Sequence, residues 1–319
     1  MLLARKLSSL VNKGLSDKAV GLFHHLHRSG NHITGYEISA AIRACTRLQL
    51  LKEGQQLQCM SWKQGSNMDM IVMTSLVDMY SKCAFVEGAR RVFDEMPLPD
   101  VIATSSMISG LCRCNSAAAA IALFNDMPER DLGSWNSIIS GLGQNSEGKT
   151  ALAYFEKMRA EGIGADLVTM VSVLSVCADL AALANGRKIH CLVAKQGFEL
   201  YLPVGNALVD MYSKCSCMDD ARLCFDNMPW TNVVSWTSLI VGYGKYRAGL
   251  EAIIAFDQME SAGVAPNKIT FLGILFLKSG VSELLMLASW ALINHGYLQS
   301  RTLAEGGHGI TFCHGDSQK

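Results

Sequence analysis

The chain has 319 residues, with 28 basic and 28 acidic side chains, so its formal net charge is zero. Half of the residues are hydrophobic and only 18% are charged, which excludes a disordered chain and favours buried helices. The balanced total shows no gross basic excess for nucleic acid, although a basic face can exist within it. No run of 18 apolar residues occurs, so no membrane span is predicted.

The N-terminal residues admit two interpretations. Met1–Leu10 is basic and contains serine, and no acidic residue precedes Asp17, a pattern weakly similar to a transit peptide. The same residues also fit the first helix of a repeat, which is the interpretation we favour. Three histidines on the next predicted helix, His24, His25 and His27, have no carboxylate or cysteine beside them, so we expect them at the surface.

Three phrases recur along the chain at intervals of 31 to 35 residues or their multiples. Val-Asp-Met-Tyr-Ser-Lys-Cys occurs at 77–83 and again at 209–215, and Ser-Trp occurs at 134–135 and 235–236. A third phrase, Phe-Asp/Asn-x-Met-Pro, ends at residues 97, 128 and 229. A period of this length indicates stacked units and not one globular core. The sequence therefore predicts an all-α, right-handed superhelical α-solenoid of helix–turn–helix repeats.

Alignment of the phrases divides residues 1–275 into eight units and a partial ninth. The units span 1–34, 35–69, 70–100, 101–131, 132–166, 167–201, 202–232 and 233–267, and the partial unit spans 268–275. Residues 276–319 lose the repeat pattern, and we interpret them as an aberrant C-terminal tail produced by a frameshift, retained intron or erroneous gene model. Within this tail, Leu284–Ile293 is expected to form an exposed or loosely packed apolar helix.

Each unit is predicted to contain two helices with apolar stripes. In unit 132–166, Trp135 and Ile138 lie on the first stripe, and Gly162 follows the second helix, where a left-handed cap is expected. Small residues at one shared position should let paired helices approach closely, and aromatic residues at another should fill the core. These two sets are Ala89, Ala120, Ala151, Ala221 and Ala252, and Phe93, Phe124, Phe155, Phe225 and Phe256.

The 11 cysteines do not have the regular spacing of a disulfide framework. Most lie within apolar helical phrases, as Cys45, Cys177 and Cys191 do, and we expect them to be small core residues in a reducing compartment. Cys112-x-Cys114 and Cys215-x-Cys217 lack the spacing of a zinc motif. No catalytic constellation is found, so neither enzyme activity, a metal nor a cofactor is predicted.

These units resemble the pentatricopeptide repeat family over about residues 1–275. The 35-residue units carry Ile-Arg-Ala-Cys at 42–45 and Leu-Ser-Val-Cys at 174–177, and the 31-residue units end in Met-Pro-x-x-Asp or Asn. This alternation is similar to the plant subclass in which P, L and S units cycle. Many members of that subclass end in extension motifs and a DYW zinc deaminase domain, whose His-x-Glu and Cys-x-x-Cys residues are absent here.

The resemblance implies sequence-specific binding of single-stranded RNA in a mitochondrion or chloroplast, with one base bound per repeat. In this family the fifth and last residues of a unit select the base together. By analogy the pairs here imply a core of roughly G-G-U-N-Y-A, with the RNA 5′ end at the protein N-terminus. The pairs are Thr74 with Asp100, Ser105 with Asp131, Asn136 with Asp166, Asn206 with Asn232, and Thr237 with Asn267.

Several of these residues also have a purely structural interpretation. Asp and Asn before a helix are good N-caps, and all five terminal residues of the pairs closely precede a predicted helix. Lys82 and Lys214 occupy equivalent sites and are candidates for phosphate contacts, with a solvated surface as the alternative.

The leading functional hypothesis is target recognition for C-to-U editing by a monomer, with a deaminase or an editing accessory protein acting in trans. The alternatives are a helical scaffold that binds proteins without an RNA role, and a truncated, inactive product.

Overall fold

The structure is a computed structural model, and it describes residues 2–30, 33–65, 69–246 and 248–275. Within these ranges the chain forms paired α-helices and no β-strand, which confirms the predicted all-α helix-repeat fold. The chain divides into two compact bodies, Met1–Thr231 and Asn232–Lys319, which we call the first body and the second body. The predicted tail, including 284–293, lies outside the described residues.

The first body contains seven helix pairs in its described residues, with a 3₁₀ turn at Phe198–Leu200 before the last pair. The helices are α1 (Leu2–Asn12), α2 (Ser16–Arg28), α3 (Gly35–Leu48), α4 (Leu51–Lys63), α5 (Met70–Lys82), α6 (Val86–Asp94), α7 (Val101–Arg113), α8 (Ala117–Asn125), α9 (Leu132–Gln144), α10 (Gly148–Ala160), α11 (Leu167–Asp179), α12 (Leu183–Lys195), α13 (Leu202–Lys214) and α14 (Met218–Asp226). The second body contains α15 (Val233–Lys245), α16 (Gly249–Ser261) and α17 (Lys268–Leu275).

The difference in unit length lies in the second helix of each unit. From α5 to α15 the first helices all have 13 residues. The second helix has 9 residues in the 31-residue units and 13 residues in the 35-residue units. Four residues are about one helical turn, so long and short units differ by one turn of this helix.

The core lies between the two helices of each unit and between neighbouring units. Trp135 and Ile138 are fully buried, and the rings of Trp135 and Phe124 pack edge to face with centroids 4.7 Å apart. All five shared alanines have no exposed surface, as close helix approach requires. Gly162 has φ +78°, so the predicted left-handed cap of α10 is confirmed.

One aromatic residue of the predicted core is less buried than expected. Phe124 and Phe155 are buried, but Phe93 is only half-buried. Phe124 is covered by Trp135, the fourth residue of the following unit. The fourth residue of the unit that follows Phe93 is Thr104. Thr104 is too small to cover the ring, so the core prediction is wrong for Phe93.

The predicted burial of the cysteines is confirmed for two of the three examples. Cys45 and Cys177 are buried, and burial raises the pKa of each thiol to about 11, which makes them inert core groups. Cys191 is exposed, so the prediction is wrong there. Helix α12 turns Ile189 and Val193 inward, and Cys191 lies between them on the opposite face.

The described α-helices are 8 to 14 residues long. None of them combines the length and the apolar character needed to cross a membrane. The histidines His24, His25 and His27 on α2 are exposed, as predicted.

Candidate nucleic-acid interface

The first helices of successive units pack side by side in the first body. Each of α1, α3, α5, α7, α9 and α11 contacts the next first helix in chain order, and each second helix packs on the first helix of its own unit. The fifth residue of a unit lies on its first helix, and the last residue immediately precedes the first helix of the next unit. Where both lie in one body, a predicted pair therefore lies along the contact between two consecutive first helices.

The last residue of each predicted pair is an N-cap, which confirms the structural interpretation of these residues. Each side-chain Oδ1 accepts a hydrogen bond from the backbone N–H of the third residue of the following helix. In the first body these bonds join Asp100 to Ala103 at 2.7 Å, Asp131 to Ser134 at 2.8 Å and Asp166 to Thr169 at 2.8 Å. In the second body they join Asn232 to Ser235 at 3.1 Å and Asn267 to Thr270 at 2.9 Å. Capping uses one oxygen, so it is compatible with a second role for the same side chain.

The predicted pair Asn136 and Asp166 is joined by a direct hydrogen bond. Asn136 Nδ2 donates to Asp166 Oδ1 at 3.1 Å, although the residues are 30 positions apart. Thr169 Oγ1 lies 2.6 Å from Asn136 Oδ1 and 2.8 Å from Asp166 Oδ1. The fifth residue Asn136, the last residue Asp166 and the third residue of the next unit, Thr169, thus form one polar cluster. Asn136 and Asp166 are half-buried, so the cluster lies near the surface.

The cluster holds Asp166 in its ionised form. Burial raises the pKa of this carboxyl, but hydrogen bonds from the backbone N–H and hydroxyl of Thr169 and from the Asn136 amide outweigh that effect. The net result is that the pKa of Asp166 lies below its ordinary value. Asp166 is therefore an acceptor at neutral pH.

Two other fifth residues have hydroxyls with a different environment. Thr74 Oγ1 and Ser105 Oγ are buried and have no hydrogen-bond partner within the described part of the chain. For Thr74, the residue equivalent to Thr169 is Ala103, and alanine has no hydroxyl. For Ser105 it is Ser134, and the Ser134 hydroxyl donates instead to the backbone carbonyl of Asp131 at 2.8 Å. A buried unpaired hydroxyl costs about 1–3 kcal/mol, so both positions retain unused hydrogen-bonding capacity.

A cleft of about 300 Å³ brings together Ser105, Asp131 and the candidate phosphate ligand Lys82. Lys82 Nζ also forms an ion pair with Asp78 at 2.8 Å, four residues earlier on α5. The cleft thus joins one predicted pair to a basic side chain from the preceding unit, and Asp78 reduces the net positive charge there.

Lys214, the second candidate phosphate ligand, is held between two carboxylates. Its Nζ lies 2.9 Å from both Asp179 and Asp210. Burial lowers the pKa of Lys214, but these two hydrogen-bonded carboxylates raise it by more, so the group stays charged. Its charge is balanced locally, and a phosphate contact at Lys214 stays a prediction.

Two further sets of residues were not identified from the sequence. Arg113 lines the same cleft as Lys82. Both are the thirteenth residue of their units, so a basic residue at that position could have identified Arg113 from the sequence. Exposed aliphatic residues occupy the second position of several units, three residues before the fifth and on the same helix face. Those in the first body are Ile71 (41% exposed), Ile102 (65%) and Val168 (57%).

The second body contains a cluster similar to that of Asn136. Thr237 is buried, and its Oγ1 lies 2.7 Å from Thr270 Oγ1, which in turn lies 3.0 Å from Asn267 Oδ1. The remaining predicted pair is divided between the bodies. Asn206 is half-buried on α13 in the first body, and Asn232 caps α15 in the second.

The unit 167–201 departs from this pattern. Its last residue, Tyr201, is 50% exposed and provides no side-chain cap for α13. Pro203 in the first turn of α13 instead favours the helix start. Its fifth residue, Val171, has no hydrogen-bonding side chain, so this unit offers no polar pair.

The fold and the capped polar pairs define an α-helical repeat protein with paired side chains along consecutive first helices. The PPR repeat matches residues 71–98, 102–132, 133–163 and 206–232, and the PPR repeat family matches residues 231–275. The chain belongs to the pentatricopeptide repeat family.

Relatives in Arabidopsis thaliana agree with this assignment. The chloroplastic pentatricopeptide repeat-containing protein At1g08070 is 50% identical over 240 residues, covering 75% of this chain and 32% of that protein. The putative mitochondrial protein At3g11460 is 28% identical over 270 residues, covering 85% of this chain and 39% of that protein. This chain spans less than half the length of several curated relatives that it matches, from 23% to 40%.

Solved structures show the same fold. Maize PPR10 matches with a TM-score of 0.56 at 19% identity, covering 94% of this chain and 45% of the maize chain. PPR10 in complex with an 18-nt psaJ RNA element matches with a TM-score of 0.50 at 17% identity, covering 94% of this chain and 55% of that chain.

Proposed function

We propose that this chain binds single-stranded RNA in a sequence-specific manner and selects target transcripts in a mitochondrion or chloroplast. The observation that carries the proposal is the hydrogen-bonded pair Asn136 and Asp166, joined at 3.1 Å across two consecutive first helices. Polar residues occupy the same two positions in units 70–100, 101–131, 202–232 and 233–267. A periodic row of donors and acceptors suits a polymer whose bases recur at regular intervals.

The relatives support this proposal. The names of two of them place those proteins in the chloroplast and the mitochondrion, and PPR10 has been solved with an 18-nt RNA element. These statements concern the relatives themselves, and the family membership of this chain makes the same function the natural proposal for it.

The environment of the pairs also supports base contacts. Thr74 and Ser105 are half-buried side chains whose hydroxyls have no partner in the described residues, so a base edge that reached them would supply one. The exposed side chains of Ile71, Ile102 and Val168 offer apolar surface on the same helix face as the fifth residues, against which a base can pack. By analogy with the family, the proposed core is G-G-U-N-Y-A, with N opposite unit 167–201.

At a finer level, we propose that the chain is a member of the plant subclass with alternating P, L and S units and acts in C-to-U editing. It would supply target recognition, and a deaminase or editing accessory protein would act in trans. The polar side chains paired between consecutive units, as in Asn136 and Asp166, suit the recognition part of this role.

Fluorescence anisotropy with the full chain tests the RNA proposal. We expect a labelled single-stranded RNA with the G-G-U-N-Y-A core to bind more tightly than a permuted RNA of identical composition. Substitution at N should leave affinity unchanged, which provides an internal control. Weak and equal binding to all RNAs would contradict the proposal, and capture of a specific protein would then favour the scaffold alternative.

A further inference from the structure

Thr169 is a buried residue of one unit that contacts the predicted base-selecting residues of the preceding unit. It is the third residue of α11, has no exposed surface and lies 33 positions after Asn136. Its backbone N–H donates to the capping oxygen of Asp166, and its hydroxyl lies 2.6 Å from the Asn136 carbonyl oxygen. The side chain cannot itself touch RNA, so any effect on base selection must act through its neighbours.

Asp166 and Thr169 together allow one orientation of the Asn136 side-chain amide. An ionised carboxylate only accepts hydrogen bonds, so the amide must direct its NH₂ group, and not its oxygen, toward Asp166. The amide oxygen then faces Thr169, whose single hydroxyl proton is shared between this oxygen at 2.6 Å and Asp166 Oδ1 at 2.8 Å. The reversed amide would place two acceptor oxygens against each other and leave Thr169 as the acceptor.

The fixed amide presents a defined order of hydrogen-bonding groups to a ligand. One N–H of Asn136 Nδ2 and one lone pair of Oδ1 remain after the bonds to Asp166 and Thr169 are made. Uracil has an acceptor at position 4 and a donor at position 3, and cytosine has these two groups in the opposite order. An amide in one orientation can therefore form both bonds with only one of the two pyrimidines in a given pose.

We propose that Thr169 is a positioning residue that fixes the Asn136 amide and so sets the discrimination between uracil and cytosine at the nucleotide facing unit 132–166. This inference rests on the proposed RNA-binding function. It assigns part of the base choice of one unit to a hydroxyl supplied by the next unit. Thr237 and Thr270 show the same contact at 2.7 Å in the second body, and Thr74 lacks it because Ala103 has no hydroxyl.

Two substitutions of Thr169 separate positioning from packing. Thr169→Val keeps the size and shape of the side chain and removes the hydroxyl, and Thr169→Ser keeps the hydroxyl. The affinity of the full chain is measured by anisotropy for two RNAs that differ only by U or C opposite unit 132–166. We expect Thr169→Val to reduce the U/C affinity ratio about 3- to 10-fold, and Thr169→Ser to retain the wild-type ratio.

A second measurement does not depend on RNA. The side-chain amide of Asn136 is followed by ¹⁵N nuclear magnetic resonance in the free protein, with Asn136→Asp used to assign its signals. We expect Thr169→Val to shift these signals and Thr169→Ser to leave them near their wild-type positions.

The inference is overturned if Thr169→Val leaves the Asn136 signals unchanged, or if it keeps the wild-type U/C ratio. Equal loss of affinity for both RNAs also overturns it, because a general structural defect lowers both affinities together. Wild-type protein that binds neither RNA contradicts the proposed function instead, so the two failures are distinguishable.

Discussion

The polar pairs of units 132–166 and 70–100 occupy the same positions but differ in their hydrogen bonding. Asn136 and Asp166 are linked to each other and to Thr169, whereas the Thr74 hydroxyl is buried without a partner in the described residues. The difference comes from one residue in the following unit, which is Thr169 in the first case and Ala103 in the second. The state of a base-selecting residue is therefore set by its neighbour along the array as well as by its own identity.

The largest difference should appear when the capping carboxylates are removed. Asp166→Ala removes the cap of α11 and the acceptor for Asn136 and Thr169, at an expected cost of roughly 2–3 kcal/mol in the free energy of unfolding. Asp100→Ala removes a cap alone, at about 1 kcal/mol. Urea unfolding followed by circular dichroism measures both. Equal losses would show that the cluster adds nothing to capping.

Removal of the unpaired hydroxyl should stabilise the protein and weaken its proposed function. Thr74→Val replaces a buried group that has no partner, and we expect stability to rise by about 1 kcal/mol. Affinity should fall for RNA with G at the facing nucleotide. Thr237→Val is the matched control, because its hydroxyl is paired with Thr270 and its loss should be destabilising. A loss of stability in Thr74→Val would contradict this account.

A hydroxyl added opposite Thr74 should convert the unpaired arrangement into the paired one. Ala103→Thr reproduces the residues of the Thr237 and Thr270 contact, and we expect a gain of about 0.5–1 kcal/mol in the free energy of unfolding. Ala103→Val adds a similar volume without a hydroxyl, so it controls for packing. If both variants lose stability equally, the site lacks room for the larger side chain and the predicted conversion fails.

The pH dependence of stability should distinguish the Asp166 cluster. Because the folded-state pKa of Asp166 is lowered, its contribution is fully present above the unfolded-state pKa of about 4 and is lost as pH falls through the folded-state value. Asp166→Asn should therefore show a weaker decline in melting temperature below about pH 4 than the wild type. If the variant and the wild type lose melting temperature equally below about pH 4, Asp166 is not held ionised by its neighbours.

The smallest expected effects concern the basic side chains. Arg113→Gln should reduce the slope of log affinity against log salt by about one, as the loss of one phosphate contact predicts. Lys82→Gln should reduce it by less, since Asp78 already pairs with Lys82 at 2.8 Å. Titrations at several salt concentrations measure both slopes. No change for either variant would remove these residues from the proposed phosphate contacts.

Much of the architecture could be predicted from the spacing of short phrases. The first helix of each unit from α3 to α17 begins at the first residue of that unit as the repeated phrases define it, and Asp100 and Asp166 could be identified as N-caps. These features depend on residues close together in sequence. The two predicted core positions that proved wrong, Phe93 and Cys191, depend on which side chain the neighbouring helix provides and on the rotation of the helix itself.

The hydrogen bonding of the pairs could not be predicted in the same way. The Thr169 contact with Asn136 joins residues 33 positions apart, and Lys214 meets Asp179 across 35 positions. Both contacts are set by the register between consecutive first helices. The sequence showed which polar residues were present, but the geometry showed which hydroxyls are satisfied and which lysine is already neutralised.

The confinement of length variation to the second helix has a consequence for how such genes can change. A deletion or duplication of four residues in α10 or α12 would shorten or lengthen that helix by one turn, while the first helix and its cap keep their residues. Recombination between long and short units can therefore preserve the first helices, while each exchange also replaces the third residue that contacts the preceding pair, as Thr169 contacts Asn136. New target sequences could then arise by exchange of whole units, with no need to remake the scaffold.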